Sequence, residues 1–350
     1  MTGAPMTESA AVQPDDVRII RALQIAPRAS FASIAAVLGL TESAVSRRYR
    51  RLRAEGVIRI AGVVDPGALG QSRWLLRLRC RPGSVTAIAH ALAKRDDVSW
   101  VALGAAGSEI TCAVRSRTRK QREDLLGQRL PRTASVIDIH ASAVLRQFAG
   151  GRGHYWAALS GTLTPQEESK LGSEGPPFTE IPVVTRDPVH LTPGDEKMLE
   201  ALAADGRASL VDLGQAADLT PGRASRRLQA LLRDRVVYVD VEIAPAALGY
   251  HARAHLWLRV HPSAVKNVGR TLAQEPEIAF AAATSGPHNI LATAHCRDLD
   301  ELFEFTSDRI GPLPGVQSME ISPLLEQIKQ VGTLVSGDRL VEQRSTPARH

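Results

Sequence analysis

The stretch RASFASIAAVLGLTESAVSRRYRRLR at residues 28–53 is matched by RASLVDLGQAADLTPGRASRRLQALL at residues 207–232. The shared Arg-Ala-Ser, Leu-Thr and Ser-Arg-Arg groups all fall at one offset of 179 residues. Further matches continue beyond them, and in the later part of each copy the offset becomes 180. Many separate matches in one register indicate a tandem duplication of a unit of about 135 residues.

The front of each copy has the period of short amphipathic helices. Apolar side chains within residues 19–23 share one helical face. A second helix is predicted from Ser30 to Gly39, because glycine favours the left-handed conformation found after a helix. A third helix is predicted to begin at Thr41, a good N-cap residue. Two short helices joined by a glycine-containing turn, the second one basic, are typical of a helix-turn-helix.

The third helix is the first candidate site. Five arginines and no acid lie between Arg47 and Arg53. Such a cluster gains affinity for DNA by releasing counterions from phosphates, although basic runs are commonly just solvated faces. The first turn of a recognition helix faces base edges, and its later arginines divide between phosphates and the exposed back of the helix. The candidate DNA-binding residues are Thr41, Glu42, Ser43, Ala44, Ser46, Arg47, Arg48, Arg50 and Arg51 in the first copy, and Arg223, Arg226 and Arg227 in the second.

The second helix-turn-helix is expected to bind DNA more weakly. Residues 15–65 hold nine basic and five acidic side chains, whereas residues 194–244 hold seven and nine. Gly222 also loosens the first turn of the second recognition helix, by up to about 1 kcal/mol.

The back of each copy changes to strand periodicity. In the first copy, strands are predicted at 73–81, 98–103, 109–115 and 135–145, with helices at 84–95 and 117–130. The order βαββαβ is that of a ferredoxin-like sandwich. The fold class is therefore α+β, a tandem repeat of a helix-turn-helix and a ferredoxin-like sandwich. The predicted domains are a helix-turn-helix at 14–62, a sandwich at 70–148, a linker at 149–191, a second helix-turn-helix at 192–242 and a second sandwich at 250–332. The polar end, residues 336–350, is expected to be frayed.

Composition narrows the function classes. The net charge of +6 conceals a balance of +11 in residues 1–150 and −5 in residues 151–350, so an anionic partner is expected for the first half. The three cysteines, Cys80, Cys112 and Cys296, have no metal-ligand spacing and fit a reducing cytoplasm. No apolar run has the roughly 18 residues of a membrane helix, and no secretory signal is recognised. A cytoplasmic protein without membrane contact is expected.

The motifs resemble those of the Lrp/AsnC family, the feast/famine transcription regulators. The resemblance rests on Gly39-Leu40-Thr41, Ser46-x-Arg48, Glu55-Gly56-Val57-Ile58 and Leu69-Gly70, and in the second copy on Gly286-x-x-Asn289 and Leu313-Pro314-Gly315-Val316. It implies a DNA-binding regulator in which two sandwiches pair through their sheets around a small effector, usually an amino acid. The two sandwiches of this chain would pair as an intrachain pseudo-dimer, and a homo-oligomer is expected in addition. Unequal DNA-binding domains would suit an asymmetric operator.

The candidate effector residues lie in the loop between the two middle strands of each sandwich. An amino acid needs backbone N–H groups for its carboxylate and side-chain oxygens for its ammonium. The candidates are Thr284, Gly286, His288 and Asn289 in the second copy and Gly107 in the first. Gly286-x-x-Asn289 follows the family's Gly-x-x-Asp pattern with Asn for Asp. In the first copy Ile110 takes the acid's place, a departure from the family pattern that weakens the case for an amino-acid site beside Gly107.

Two other functions remain open. Siroheme decarboxylases resemble the same unit with a degenerate helix-turn-helix, and five histidines fall in the second copy, at 251, 255, 261, 288 and 295. However, the chain has no nucleophile elbow, P-loop or metal-ligand spacing. An architectural DNA-compacting protein is the third alternative. A regulator, rather than an enzyme, is the preferred interpretation, with no cofactor and with double-stranded DNA and a small effector as partners.

Overall fold

The computed structural model describes residues 12–104, 107–116, 135–151, 156–172 and 188–341. The helix predicted at 117–130 lies outside these ranges. No helix among the described residues is long and apolar enough to cross a membrane.

The first copy opens with three helices: α1 at Pro14–Ile25, α2 at Phe31–Leu38 and α3 at Glu42–Ala54. Their ends are set by local chemistry. The Ser30 hydroxyl caps α2 by accepting from the Ser33 N–H, and Gly39 ends it at a φ of +68°. Thr41 caps α3 by accepting from the Ala44 N–H. The predicted helix-turn-helix is therefore present.

The second copy repeats this arrangement. Its helices are α6 at Pro193–Ala204, α7 at Leu210–Ala217 and α8 at Pro221–Arg233, following the connector helix α5 at Pro165–Gly172. The turn between α7 and α8 uses Asp218, at a φ of +59°, where the first copy uses glycine.

A two-stranded ribbon, with one strand from each copy, joins the two copies. Strand β1, Ile58–Val64, pairs antiparallel with its counterpart β6, Val237–Ile243. The register places Ala61 opposite Asp240, which is its own counterpart at the offset of 179. The ribbon therefore has pseudo-twofold symmetry.

Reciprocal arginines also fasten the two helix-turn-helix domains together. Arg28 donates to the backbone carbonyls of Gly206 and Ala208, while its counterpart Arg207 donates to those of Pro27 and Ala29. Arg207 additionally stacks over the Phe31 ring at 4.6 Å. The two recognition helices are therefore held at a fixed separation.

Each sandwich follows the predicted βαββαβ order as far as it is described. In the first copy the elements are β2 at Ser72–Cys80, α4 at Val85–Ala93, β3 at Val98–Gly104, β4 at Glu109–Ser116 and β5 at Val136–Ala149. In the second they are β7 at Ala252–Val260, α9 at Val265–Leu272, β8 at Ile278–Thr284, β9 at Ile290–Cys296, α10 at Leu299–Glu304, a π-helical turn at Phe305–Ile310 and β10 at Val316–Gln330.

The two sandwiches pair within the chain, as the family resemblance implied for a duplicated unit. Strand β5 pairs with β2 over residues 136–143 and with β8 of the other copy over residues 144–149. Strand β10 does the same, pairing with β7 and then with β3. The two long strands thereby close a ring in the order β10, β3, β4, β2, β5, β8, β9, β7 and back to β10. Leu75, Trp257 and Leu291 pack between the facing sheets.

The connector was predicted to be a linker, and residues 157–172 contradict that. They form a 3-10 turn at Ala157–Leu159 and helix α5, and Leu159, Leu163 and Leu171 are buried in the core of the first helix-turn-helix. Arg18 and Arg21 bind the first-turn carboxylates of α5, with Arg18 2.7 Å from Glu167. Three spaced leucines bury enough apolar surface to order this segment.

The expectation that residues 336–350 fray is wrong for their first part. Strands β11, Thr333–Ser336, and β12, Arg339–Val341, form a hairpin that continues β10. The Leu340 N–H donates to the Gly56 carbonyl at the end of α3. The hairpin therefore docks onto the first helix-turn-helix, which a reading of polarity alone could not show.

Candidate DNA-binding and effector sites

The first recognition helix presents its N-terminal turn and one side to solvent. Thr41, Glu42, Ser43, Arg47 and Arg50 are exposed, and Ala44 and Ser46 are partly so. The opposite side is core: Val45, Tyr49 and Leu52 are buried. The exposed residues are those that the sequence assigned to base edges, together with one later arginine.

Arg48 and Arg51 do not belong to this exposed surface, contrary to their assignment as DNA contacts. Both bind the carboxylate of Asp16, which is fully buried on α1, with Arg48 Nη1 2.9 Å from Asp16 Oδ1. Burial alone would raise the pKa of Asp16, but hydrogen bonds from the Gln13 backbone and the two arginines outweigh it, so that pKa is lowered. These arginines fasten α3 to α1.

Arg227, the counterpart of Arg48, has the same structural role. Its Nε and Nη2 atoms lie 2.6 and 2.7 Å from the two oxygens of Asp195, a side chain only 3% exposed. This bidentate pair is the main reason that the pKa of Asp195 falls to about 2. The prediction that Arg227 contacts DNA is therefore corrected: Arg227 is a structural residue.

The two recognition helices carry equal numbers of exposed arginines outside ion pairs; Arg233, also exposed on α8, lies 3.5 Å from Asp234. Arg53 of α3 pairs with Asp205 of the other copy at 2.9 Å. Arg47 and Arg50 remain on α3, and Arg223 and Arg226 on α8; all four are exposed and have no ion pair with another described residue. The excess arginines of the first copy thus maintain the fold, and the number of unpaired arginines on the recognition helices does not distinguish the two domains.

The loop predicted to bind an effector in the second copy is occupied by its own contacts. Gly286 has a φ of +107°, as a tight turn requires. Thr284 Oγ1 donates to the His288 carbonyl, and both polar atoms of the Asn289 side chain bind Val260, at 2.8 Å to its N–H and 2.7 Å to its carbonyl. Asn289 thus uses one acceptor and one donor in the fold, and its role in effector binding stays a prediction. His288 is partly exposed and faces Glu320, with 4.0 Å between Nε2 and Oε2.

A cleft of about 400 Å³ lies instead beside the corresponding loop of the first copy. It is lined by Arg77, Arg79, Ser108, Glu109, His140 and Glu320. Arg77 is central: its Nε donates to Glu109 at 2.6 Å, and its two Nη groups donate to Glu320 of the other copy. The hydrogen bonds to Glu320 are the largest cause of a raised pKa for Arg77, which is permanently charged. Glu320 has a lowered pKa for the same reason.

The strand register corrects the comparison of the two loops. Leu78 pairs with Ile110 in the first copy, and Leu258 pairs with Ile290 in the second. All four residues keep an offset of 180, so the counterpart of Asn289 is Glu109. The first copy thus does have an acid at this place, and Ile110 is not the counterpart of Asn289. Gly107, at a φ of +80°, lies beside the cleft-lining Ser108.

Of the five histidines of the second copy, His255 and His295 lie close enough to influence each other, whereas His261 and His288 face other partners. His255 and His295 are buried, which lowers the pKa of each to about 3, so both are neutral at pH 7. His255 Nδ1 lies 3.1 Å from Thr293 Oγ1, whereas His261 bonds Ser263 at the end of β7. Among the described residues no group of three His, Cys, Asp or Glu side chains could hold a metal ion.

The sequence did not indicate Arg77, Glu109, His140 or Glu320. Arg77 and Glu109 lie on strands whose neighbours are apolar, and Glu109 is only 3% exposed. A charged residue inside an apolar strand could have been the signal, since such residues are rarely buried without a partner. Glu320 could not be placed there without knowing that β10 crosses to the other copy.

Two helix-turn-helix domains on a shared ribbon, above paired sandwiches with a polar cleft, define a DNA-binding protein with a ligand-binding module. The AsnC-type helix-turn-helix domain matches residues 15–53 and 191–232, and the Lrp/AsnC ligand-binding domain matches residues 253–334. The chain therefore carries two AsnC-type helix-turn-helix domains and an Lrp/AsnC ligand-binding domain, as the motifs predicted.

Similar proteins agree with this assignment. The HTH-type transcriptional regulator FL11 of Pyrococcus horikoshii is 28% identical over 141 residues, which is 40% of this chain and 93% of FL11. Ptr1 of Methanocaldococcus jannaschii, also an HTH-type transcriptional regulator, is 26% identical over 136 residues, or 39% of this chain and 92% of Ptr1. Each corresponds in length to one of the two copies.

A solved structure matches both copies at once. The siroheme decarboxylase NirDL aligns over 90% of this chain and 92% of its own with a TM-score of 0.60, at 14% sequence identity. At that identity the likeness concerns the fold alone. It shows that the paired, two-copy architecture occurs in another protein.

Proposed function

We propose that the chain is a transcriptional regulator that binds double-stranded DNA through both helix-turn-helix domains and changes its DNA binding when an amino acid or related metabolite binds between the sandwiches. The observation that carries this proposal is the pair of recognition helices, each with two exposed arginines that have no ion pair with another described residue. Arginine is the commonest reader of guanine in the major groove and also neutralises phosphates.

The two helix-turn-helix domains are held in a fixed arrangement, which favours one operator with two half-sites. The ribbon and the reciprocal arginines Arg28 and Arg207 hold both recognition helices in one frame. The half-sites should therefore have a fixed spacing. Their sequences should differ, because α3 carries Arg50 near its middle whereas α8 carries Arg223 in its first turn. This extends the asymmetric operator expected from the sequence.

A genome-wide binding map followed by fluorescence anisotropy on the recovered sites tests the proposal. Arg47→Ala and Arg226→Ala, equivalent residues of the two helices, should each weaken specific binding by about 1–3 kcal/mol if they contact bases. Arg270→Ala removes an exposed arginine from sandwich helix α9 and serves as the matched control. Unchanged affinity for both recognition-helix variants would exclude this mode of DNA binding.

The same assay separates a regulator from an architectural protein. A regulator should prefer its mapped sites over unrelated duplexes, whereas charge-driven compaction is equal on any sequence and falls steeply with salt. Light scattering on the full chain would establish whether the expected homo-oligomer forms.

An enzyme related to siroheme decarboxylases is the second candidate, favoured by the whole-chain likeness in fold. We propose that this chain is not such an enzyme. Its recognition helices retain exposed arginines, and two of its five second-copy histidines are buried and neutral between packed strands. An absorbance titration with an iron porphyrin would reverse this conclusion if a saturable complex formed.

A further inference from the structure

We propose that Glu242 is a pH-sensitive switch in the ribbon that joins the two helix-turn-helix domains. While Glu242 is protonated, the Arg59 guanidinium fastens the second domain to the ribbon. When Glu242 loses its proton to solvent, Arg59 turns to the carboxylate and the second domain loosens, so DNA affinity falls as the pH rises. This deepens the proposed function and rests on it, because the regulated step is DNA binding.

Glu242 lies in an environment that disfavours a charge. It is on strand β6 and is only 2% exposed. Neither oxygen of its carboxyl group has a hydrogen-bond partner among the described residues. A buried carboxylate without such partners is strongly disfavoured, so the protein holds the group in its neutral form. Burial accordingly raises the pKa of Glu242 from an ordinary 4.5 to about 8.

Arg59 lies opposite Glu242 in the ribbon, but its guanidinium is engaged elsewhere. Its Nη2 group donates to the carbonyls of Ala203 at 2.7 Å and Ala204 at 3.2 Å, at the end of α6. Its Nη1 group donates to Thr333 Oγ1 in the C-terminal hairpin. The last carbonyls of a helix have no partner within the helix. Arg59 therefore ties the ribbon to the first helix of the second domain and to the hairpin.

Among the described residues, Arg59 and Asp240 are the charged groups that act on Glu242. Asp240 lies two residues away on the same side of β6 and raises the pKa of Glu242, whereas Thr333 and Arg59 lower it and are outweighed by burial. Desolvation raises the pKa of Asp240 itself to about 6, so Asp240 ionises first as the pH rises. The charged side chains of the neighbouring elements have other neighbours: Asp338 binds Arg253, Arg339 lies beside Gly56, Lys329 donates to the Arg95 carbonyl and Asp205 binds Arg53.

The other end of the ribbon does not contain this arrangement. At the offset of 179, Glu242 corresponds to Val63 and Arg59 to Tyr238, and these two counterparts also lie opposite each other. Strand pairing therefore does not require an acid at this position. Counterparts have diverged on the sandwiches as well, where Arg77 corresponds to Trp257 at the offset of 180.

Ionisation of Glu242 changes which acceptor suits Arg59 best. A buried carboxylate requires a cationic donor, and charge-assisted hydrogen bonds are stronger than those to neutral carbonyls. Moving the guanidinium to Glu242 leaves the end of α6 and the hairpin without that donor. Helix α6 also carries Asp195, which holds the recognition helix α8 through Arg227. Loosening α6 therefore loosens the second DNA-reading helix.

Fluorescence anisotropy on a mapped duplex, between about pH 6.5 and 9.5 at constant ionic strength, tests the switch. Wild type and Glu242→Gln should bind equally at the lowest pH. Above pH 8 the wild-type affinity should fall by up to about tenfold per pH unit relative to Glu242→Gln. Glu242→Val, which installs the residue of the counterpart position, should behave like Glu242→Gln. Identical pH profiles for wild type and either folded variant would overturn the proposal.

Two further measurements address the proton and the arginine separately. In carbon-13 NMR of the glutamate carboxyl groups, the signal lost in Glu242→Gln should titrate near pH 8, and a midpoint near the ordinary 4.5 would refute the switch. Hydrogen exchange of residues 193–204 should be faster in wild type than in Glu242→Gln at pH 9 and equal at pH 6.5. Arg59→Ala should exchange fast at both pH values. Equal protection of wild type and Glu242→Gln at pH 9 would refute the movement of Arg59.

The switch and the proposed function can fail separately. If DNA binding is sequence-specific but Glu242→Gln keeps the wild-type pH profile, the switch is wrong and the DNA-binding function stands. Absence of sequence-specific binding by the wild-type chain at pH 6.5, where Glu242 is protonated, would instead refute the proposed function itself.

Discussion

The ion pair between Asp195 and Arg227 makes a measurable contribution to the second helix-turn-helix. Asp195 is buried at the third position of α6, where it binds the Thr192 backbone N–H and the Arg227 guanidinium. Its pKa is about 2 in the folded chain against an ordinary 3.8. At about 1.4 kcal/mol per pKa unit, the ionised carboxylate stabilises the fold by about 2 kcal/mol at pH 7.

Asp195→Asn should therefore lower the free energy of unfolding by about 2 kcal/mol at pH 7. Arg227 is 35% exposed and can be hydrated when its partner is lost, so the cost stays below that of a fully buried unpaired charge. Because the folded pKa is depressed, the contribution is complete above pH 4 and is lost as the pH falls through 2. About half of the difference between wild type and variant should remain at pH 3.

Urea unfolding followed by circular dichroism at pH 7 and pH 3 measures both values. Hydrogen exchange of residues 193–233 assigns the loss to this domain and should be about 30-fold faster in the variant at pH 7. Asp212→Asn is the matched control: Asp212 also occupies the third position of a helix, but it is exposed and binds only Ser209 among the described residues. An equal loss at both pH values, or an equal loss in the control, would refute the reasoning.

Three other predictions follow from the packing. Gly56→Ala should destabilise the chain by about 2 kcal/mol or more, since φ is +65° and a Cβ would lie 2.5 Å from the Leu340 carbonyl oxygen; Gly83→Ala, with a φ of +85° and open space around it, should cost less in the same thermal denaturation. Leu171→Ala should cost about 2–5 kcal/mol and expose the connector to limited proteolysis, and unchanged cleavage would show that α5 is not docked. The thiol of Cys112, whose pKa burial raises to about 12, should resist iodoacetamide at pH 8 until urea unfolds the chain; rapid labelling of the folded chain would contradict its burial.

The sequence predicted most of the architecture because the signals for it are local. Ser30, Gly39 and Thr41 mark helix ends through their own backbone preferences, and the structure uses each of them in that way. The alternation of apolar residues predicted the strands for the same reason. The pairing of the two sandwiches followed from the family resemblance, and the repeat placed both partners in one chain.

The functional residues were less predictable because their roles depend on distant partners. Whether Arg48 faces DNA or Asp16 is decided by the packing of α1 on α3, and the helix periodicity of α3 does not contain that information. Glu109 was missed because the loops were aligned on their glycines, whereas hydrogen-bonded strand partners set the true register. Glu320 reaches the cleft only because β10 changes partners midway.

The ring of strands closed by β5 and β10 has a consequence for how the chain behaves at low abundance. A regulator assembled from separate subunits loses its paired DNA readers on dilution, and it can exchange subunits with related chains. Here both readers belong to one polypeptide, so their association is intramolecular and independent of protein concentration. The two halves always meet the same partner. Each is therefore free to change one face, as Arg77 and Trp257 have, without having to remain compatible with a copy of itself.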